Sequence, residues 1–117
     1  MSEALPLAGI RVVEFTHMVM GPTCGMILAD LGAEVIKIEA PEGDDTRQWG
    51  PPFIERNGDK SAAYFHSCNR GKKSITLDFR TSEGQEAVRA LVKDADILIE
   101  NFKVGGLKKY GLDYASL

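Results

Sequence analysis

A chain of 117 residues, 44% hydrophobic and 26% charged, is long enough to bury one core and too ordinary in composition for a disordered or fibrous protein. A net charge of -3 argues against a broad nucleic-acid-binding face, and two cysteines, Cys24 and Cys68, are too few for a disulfide framework or a zinc site. The charge is uneven: residues 1–60 carry 5 basic and 10 acidic side chains, residues 61–117 carry 9 and 7. That concentrates positive charge in later loops, which suits a local anion site.

Met1–Gly9 lacks the basic-then-apolar pattern of a signal peptide, and no apolar run reaches membrane-spanning length. A cytoplasmic protein is expected, with a mitochondrial or peroxisomal form open for a eukaryotic source. No membrane or nucleic-acid partner is expected.

Pro6 and Gly9 frame a first strand, Ile10–Phe15, rich in β-branched residues. A second strand of the same kind follows at Glu34–Glu39. Between them Gly21-Pro22 starts a helix, with Pro22 near its first position. Cys24, Ile27, Leu28 and Leu31 recur at helical spacing and predict its buried stripe. Gly32 supplies the glycine expected past the helix end. This is a βαβ unit, whose crossover is right-handed. Ligands of such sheets sit at the carboxyl ends of the strands, which puts Thr16, His17, Met18, Val19 and Met20 at the rim of a site.

Ala40–Asp59 reads as a long polar loop in which neither helix nor strand persists; Trp49 and Phe53 are its anchors. Ser61–Cys68 reads as a short helix and Asn69–Lys73 as a basic loop. A third strand is expected at Ser74–Phe79. Ser82 and Gln85 have capping-box spacing, and Ala87, Val88, Leu91 and Val92 form the apolar stripe of the helix that follows. A fourth strand, Ile97–Glu100, leads into Asn101-Phe102-Lys103. A short helical piece near Leu107–Tyr110 and the approach to a further element follow. Strands alternating with helices predict an α/β fold with an open parallel sheet. Four strands leave one edge uncovered, so a piece of a larger polypeptide is expected.

Three chemistries could stand on these elements. For a dinucleotide, there is no G-x-G-x-x-G and no P-loop lysine; only Glu39 stands where an acid holds a ribose. For hydrolysis, His17 and His66 are present without a G-x-S-x-G elbow. For anion binding, Arg70, Lys72, Lys73 and Arg80 bracket the third strand, and Lys103, Lys108 and Lys109 follow the fourth. Arg80 and Lys103 are expected to converge on the rim that carries Met18–Met20. Apolar groups beside spaced cations suit a flat base with several phosphates, such as coenzyme A. A solvated basic face stays open on spacing alone.

The motifs PLAGIRVVEFTHMVMGPTCGMILADLGAEVIKIEAP, GDDTRQWGPPF, NRGKKSITLDF, RTSEGQEA and DILIENFKVGGLKKYGLDY, in this order, resemble the N-terminal part of the class III CoA-transferases, the CaiB/BaiF family. The resemblance implies a Rossmann-like large domain, of which residues 1–117 would be the CoA-binding half, in much longer chains that interlock as homodimers. It implies CoA and acyl-CoA as substrates, carboxylic acids as acceptors and no permanently bound cofactor or metal. It also implies covalent catalysis by an aspartate beyond Leu117, so no residue of this segment is assigned a catalytic role.

Residue by residue, the resemblance implies CoA contacts at Met18, Val19 and Met20, at Leu77, Asp78, Phe79 and Arg80 for the adenosine and its phosphate, at Asn101, Phe102 and Lys103 beside the pyrophosphate, and at Lys109. His17 and Arg47 fall on the substrate side. Val19 and Ala40 depart from polar and arginine residues found in some members. GDDTRQWGPPF looks most like members that move CoA between dicarboxylates, often from succinyl-CoA. An α-methylacyl-CoA racemase and a non-catalytic CoA-binding or interaction module are the alternatives.

Overall fold

The computed structural model describes residues 4–117. β1 (Arg11–Phe15), α1 (Met20–Asp30) and β2 (Glu34–Glu39) form the expected βαβ unit. Then come β3 (Phe53–Arg56), β4 (Asp59–Ala62), α2 (Ala63–Cys68), β5 (Lys72–Thr76), α3 (Ser82–Lys93) and β6 (Ile97–Glu100). The main sheet is parallel, in the order β5-β2-β1-β6, with β3 and β4 apart as an antiparallel hairpin.

Alternation along β1 and β2 splits the core in two. Val13, Phe15 and Ile38 face α3 and the chain after β6, where they meet Val88 of the helix and Leu107 and Leu112. Val12 and Val35 face the other way, toward Leu28 and Ala29 of α1. Of the stripe expected on α1, only Leu28 packs against the core. Cys24 is exposed, Ile27 and Leu31 keep about half their surface in solvent, and the buried residues are Gly21, Pro22 and Gly25. Close approach explains this. A Cβ on Gly25 would lie 1.9 Å from Glu14 Oε1, and one on Gly21 would lie 2.8 Å from Thr16 Cβ. The helix lies on its glycines because polar side chains rise beneath it. It begins at Met20, which makes Pro22 its third residue. Its end is as expected: Gly32, at φ +106°, donates to the Ala29 carbonyl while Ala33 donates to that of Leu28.

The stretch 40–59 is not a structureless loop. Asp44 caps a 3-10 turn at Asp45–Gln48, its carboxylate accepting the Thr46 N–H at 2.9 Å. Asn57 and Gly58, both at positive φ, close the β3–β4 hairpin. An Asn-Gly pair between two short strands is the turn that hairpin twist prefers. Trp49 and Phe53 stay partly exposed, and Trp49 meets Tyr64 edge-on at 5.3 Å. β5 lies earlier than expected and ends at Thr76, so Leu77–Arg80 is a turn rather than strand. The α3 cap is Thr81, which accepts the Gly84 N–H, while the Gln85 amide donates to the Phe79 carbonyl. Among the described residues, no helix is long and apolar enough to cross a membrane.

Candidate functional site

The carboxyl ends of the parallel strands release four chain segments: Thr16–Val19, Ala40–Asp44, Leu77–Arg80 and Asn101–Val104. They stand on a buried ionic cluster that the apolar look of β1 and β2 conceals. Lys37 is almost wholly buried, and its Nζ donates to the Thr16 carbonyl at 2.9 Å and lies 3.0 Å from Asp44 Oδ2. Glu14, equally buried, pairs with Lys72 at 2.8 Å and accepts a short hydrogen bond from Thr16 Oγ1. Glu39 takes both nitrogens of a guanidinium fork, Arg47 Nε at 2.8 Å and Nη2 at 2.7 Å. Arg47 also lies over the Phe65 ring, 3.7 Å from its centre. Carboxylates of Glu14, Glu39 and Asp44 thus balance Lys37, Lys72 and Arg47. Buried charges are tolerable only when paired in this way.

Their acidities follow from the pairing. Burial works to raise the Glu39 pKa, but Arg47, Ser74 and the Asp44 N–H outweigh it and hold the carboxyl at about 2. Asp44 is likewise lowered: burial opposes, and the Thr46 and Lys37 contacts prevail. For Lys72 burial wins, and its pKa falls despite Glu14.

The loops are pinned above this base. The Asn101 side chain clips the His17 backbone, donating to its carbonyl at 2.8 Å and accepting its N–H at 3.1 Å. Met18 takes a positive φ of 72° at the turn into α1. Phe102 lies edge-on to His17 at 5.3 Å and to Phe79 at 5.8 Å, and Phe79 meets Tyr110 at 5.3 Å.

Two hollows share Ala40, Phe79 and Phe102 as walls. One, of about 240 Å³, adds Thr16, His17, Glu39, Gly43, Asp44 and Asp45. The other, of about 250 Å³, adds Glu42, Asp78, Arg80, Gly106, Lys109 and Tyr110. Together they form a trough along the carboxyl edge, walled by aromatic rings, with the paired charges of Arg80, Lys109, Asp78 and Glu42 at one end. Arg80 is oriented there by Asp78, whose Oδ1 accepts from Nε at 2.8 Å, and also reaches Glu42 at 3.2 Å. The Arg80 side chain is the chief cause that lowers the Asp78 pKa.

The residues expected at the site do not all line the trough. Lys103 lines a separate cavity of about 790 Å³ beside Leu98, Val104 and Tyr114, so Arg80 converges with Lys109 instead. The strand order is the reason: β5 and β6 are opposite edges of the sheet, and the chain after β6 folds back over Phe79 and Phe102. Met18, Val19 and Met20 stand exposed at the head of α1 and wall neither hollow. Arg47, expected on the substrate side, has its fork engaged by Glu39. The basic loop is spent on ion pairs, Arg70 with Asp30 and Lys73 with Glu34, besides the buried Lys72. His66 contacts Ser61 Oγ at 2.7 Å, tying α2 to β4 away from the trough. Among the described residues, no group of three or more metal-binding side chains gathers.

The sequence pattern that defines CoA-transferase family III matches residues 7–117. The chain belongs to this family, also called CaiB/BaiF. A succinate–glutarate CoA-transferase of Agrobacterium fabrum is 60% identical over 115 residues, covering 96% of this chain and 29% of that protein. A succinyl-CoA:mesaconate CoA-transferase of Haloarcula hispanica is 46% identical, over 95% of this chain and 28% of its own length. The crystal structure of a CaiB/BaiF family protein from Brucella suis superposes with a TM-score of 0.95 at 65% identity, covering 97% of this chain and 30% of that one. This family III chain therefore spans about 30% of the length of the proteins it matches. The parallel sheet with flanking helices is the fold expected of it. Glu39, the acid a dinucleotide reading would reserve for a ribose, is bonded in this CaiB/BaiF chain by Arg47, Ser74 and the Asp44 N–H.

Proposed function

We propose that residues 1–117 form the CoA-binding half of the large domain of a class III CoA-transferase that moves CoA from an acyl-CoA donor, first of all succinyl-CoA, to a dicarboxylic acid. The observation that carries this reading is family membership together with relatives named for exchange between succinyl-CoA and glutarate or mesaconate. The trough supports it physically. The rings of Phe79, Phe102 and Tyr110 wall the hollow and offer apolar contact for adenine. Arg80 and Lys109 meet phosphate, and the Leu77–Phe79 backbone is within reach of the ribose. Asn101 flanks the pyrophosphate, with Met18, Val19 and Met20 at the mouth. His17 stands on the thioester side, one hollow further along. Arg47 serves this site as framework rather than as a carboxylate receptor, because Glu39 already fills its fork.

The covalent chemistry belongs to an aspartate carboxylate outside this segment. Its oxygen attacks the acyl-CoA carbonyl and expels CoA thiolate, giving a mixed anhydride. The thiolate then attacks the aspartyl carbonyl and releases the donor acid, leaving an aspartyl-CoA thioester that the acceptor carboxylate opens by the reverse steps. This segment contributes binding and orientation. An interlocked homodimer and a cytoplasmic setting go with the same proposal.

The test is a CoA-transfer assay of the full-length protein with succinyl-CoA and a panel of glutarate, mesaconate and monocarboxylates. CoA esters of the dicarboxylates are expected. Exchange of the α-proton of a 2-methylacyl-CoA without transfer would replace the reading by a racemase. CoA binding with neither reaction would leave a binding module.

A further inference from the structure

Arg80 is held from two sides by carboxylates of different origin. Asp78 lies two residues away in the same turn and accepts from Nε at 2.8 Å and Nη2 at 3.2 Å, a pair that aims the guanidinium. Glu42 comes from the loop after β2, across the trough, and takes Nη2 at 3.2 Å. Glu42 and Arg80 are both well exposed, and both wall the same hollow as Lys109. With Asp78 and Glu42 against Arg80 and Lys109, the charges at this end of the trough cancel. A phosphate arriving there meets a neutral wall unless one carboxylate gives way. Asp78 is fixed by the turn it belongs to, accepting the Arg80 backbone N–H at 3.1 Å as well. Glu42 has no partner other than Arg80 among the described hydrogen bonds and ion pairs.

We propose that Glu42 is the resident counter-ion of Arg80 and sets how strongly this end of the trough prefers a phosphate-bearing ligand. The inference rests on the reading of the trough as the CoA-nucleotide site. The carboxylate holds the guanidinium in place while the site is empty, and the 3′-phosphate of CoA displaces it. Glu42 is thus a specificity residue: it lowers affinity for the phosphate and exposes binding to competition by salt.

Calorimetric titration of the full-length protein with CoA and with dephospho-CoA, at low ionic strength, tests this. Glu42→Gln is expected to tighten CoA about two- to fivefold, the range of an exposed ion pair, and to leave dephospho-CoA unchanged. Glu42→Lys tightens CoA further. The effect of Glu42→Gln disappears in an Arg80→Gln background, which itself weakens CoA about tenfold. If Glu42→Gln leaves CoA affinity unchanged or lowers it while Arg80→Gln still weakens CoA, the counter-ion role is overturned and the site reading stands. If Arg80→Gln has no effect on CoA, the site reading fails and the proposal falls with it.

Discussion

Gly25 and Lys37 carry more of the architecture than their residue types suggest. Gly25 leaves room for the Glu14 carboxylate, whose Oε1 would lie 1.9 Å from an added Cβ. Backbone of α1 and a buried ion pair flank that space, so neither side yields readily. Gly25→Ala is expected to destabilise the full-length protein by about 2 kcal/mol or more in urea unfolding, as overpacking does; a change under about 0.5 kcal/mol would contradict the packing account. Lys37 is the cation shared by Thr16, Asp44 and Glu14. Lys37→Met would leave buried carboxylates short of a partner and is expected to cost about 3–5 kcal/mol. Glu39 gives a pH signature. Its carboxyl ionises at about 2 in the folded chain against an ordinary 4.5. A group depressed on folding contributes stability above its unfolded pKa and loses it as pH falls through the folded one. That contribution, on the order of 3 kcal/mol, should fade between about pH 4.5 and 2. Acid-unfolding curves of Glu39→Gln should be flatter in that window; an unchanged slope would refute the pairing.

At the scale of elements, sequence reading succeeded where one local signal sufficed. β2 and β6 begin and end as their apolar runs do, and the end of α1 follows from Gly32. It failed on part of α1 packing because Gly21 and Gly25, with only Leu28 of the expected apolar stripe, meet the sheet. Their use depends on Glu14 and Thr16, which lie on β1 and just beyond it. The hairpin was legible in Asn57-Gly58 between FIER and DKSA, yet the prolines and polar residues around it suggested a loop. Gly58 sits at φ +82°, so Gly58→Ala is expected to destabilise by about 1 kcal/mol, read from the urea midpoint; no shift would mean the turn is looser than described. The cap moved from Ser82 to Thr81 because Thr81 Oγ1 reaches the Gly84 N–H at 3.0 Å.

For the whole molecule, the missing information was strand order. Placing β5 and β6 at opposite edges separates Arg80 from Lys103 and lets the returning chain bring Lys109 to Arg80. The ionic cluster was hidden for a related reason: Glu14, Lys37, Asp44 and Lys72 are far apart in sequence and meet only once β5, β2 and β1 lie side by side. Neutralising charges inside the sheet fix both loops that wall the first hollow, so rigidity of the site and stability of the fold share the same residues. Hydrogen exchange of the full-length protein with and without CoA is the measurement that tests the placement of the nucleotide most directly. Slower exchange at Leu77–Thr81 and Asn101–Tyr110, with the β3–β4 hairpin unchanged, is the predicted result. Protection confined to the opposite edge of the sheet, around Gly9 and Asp94, would contradict it.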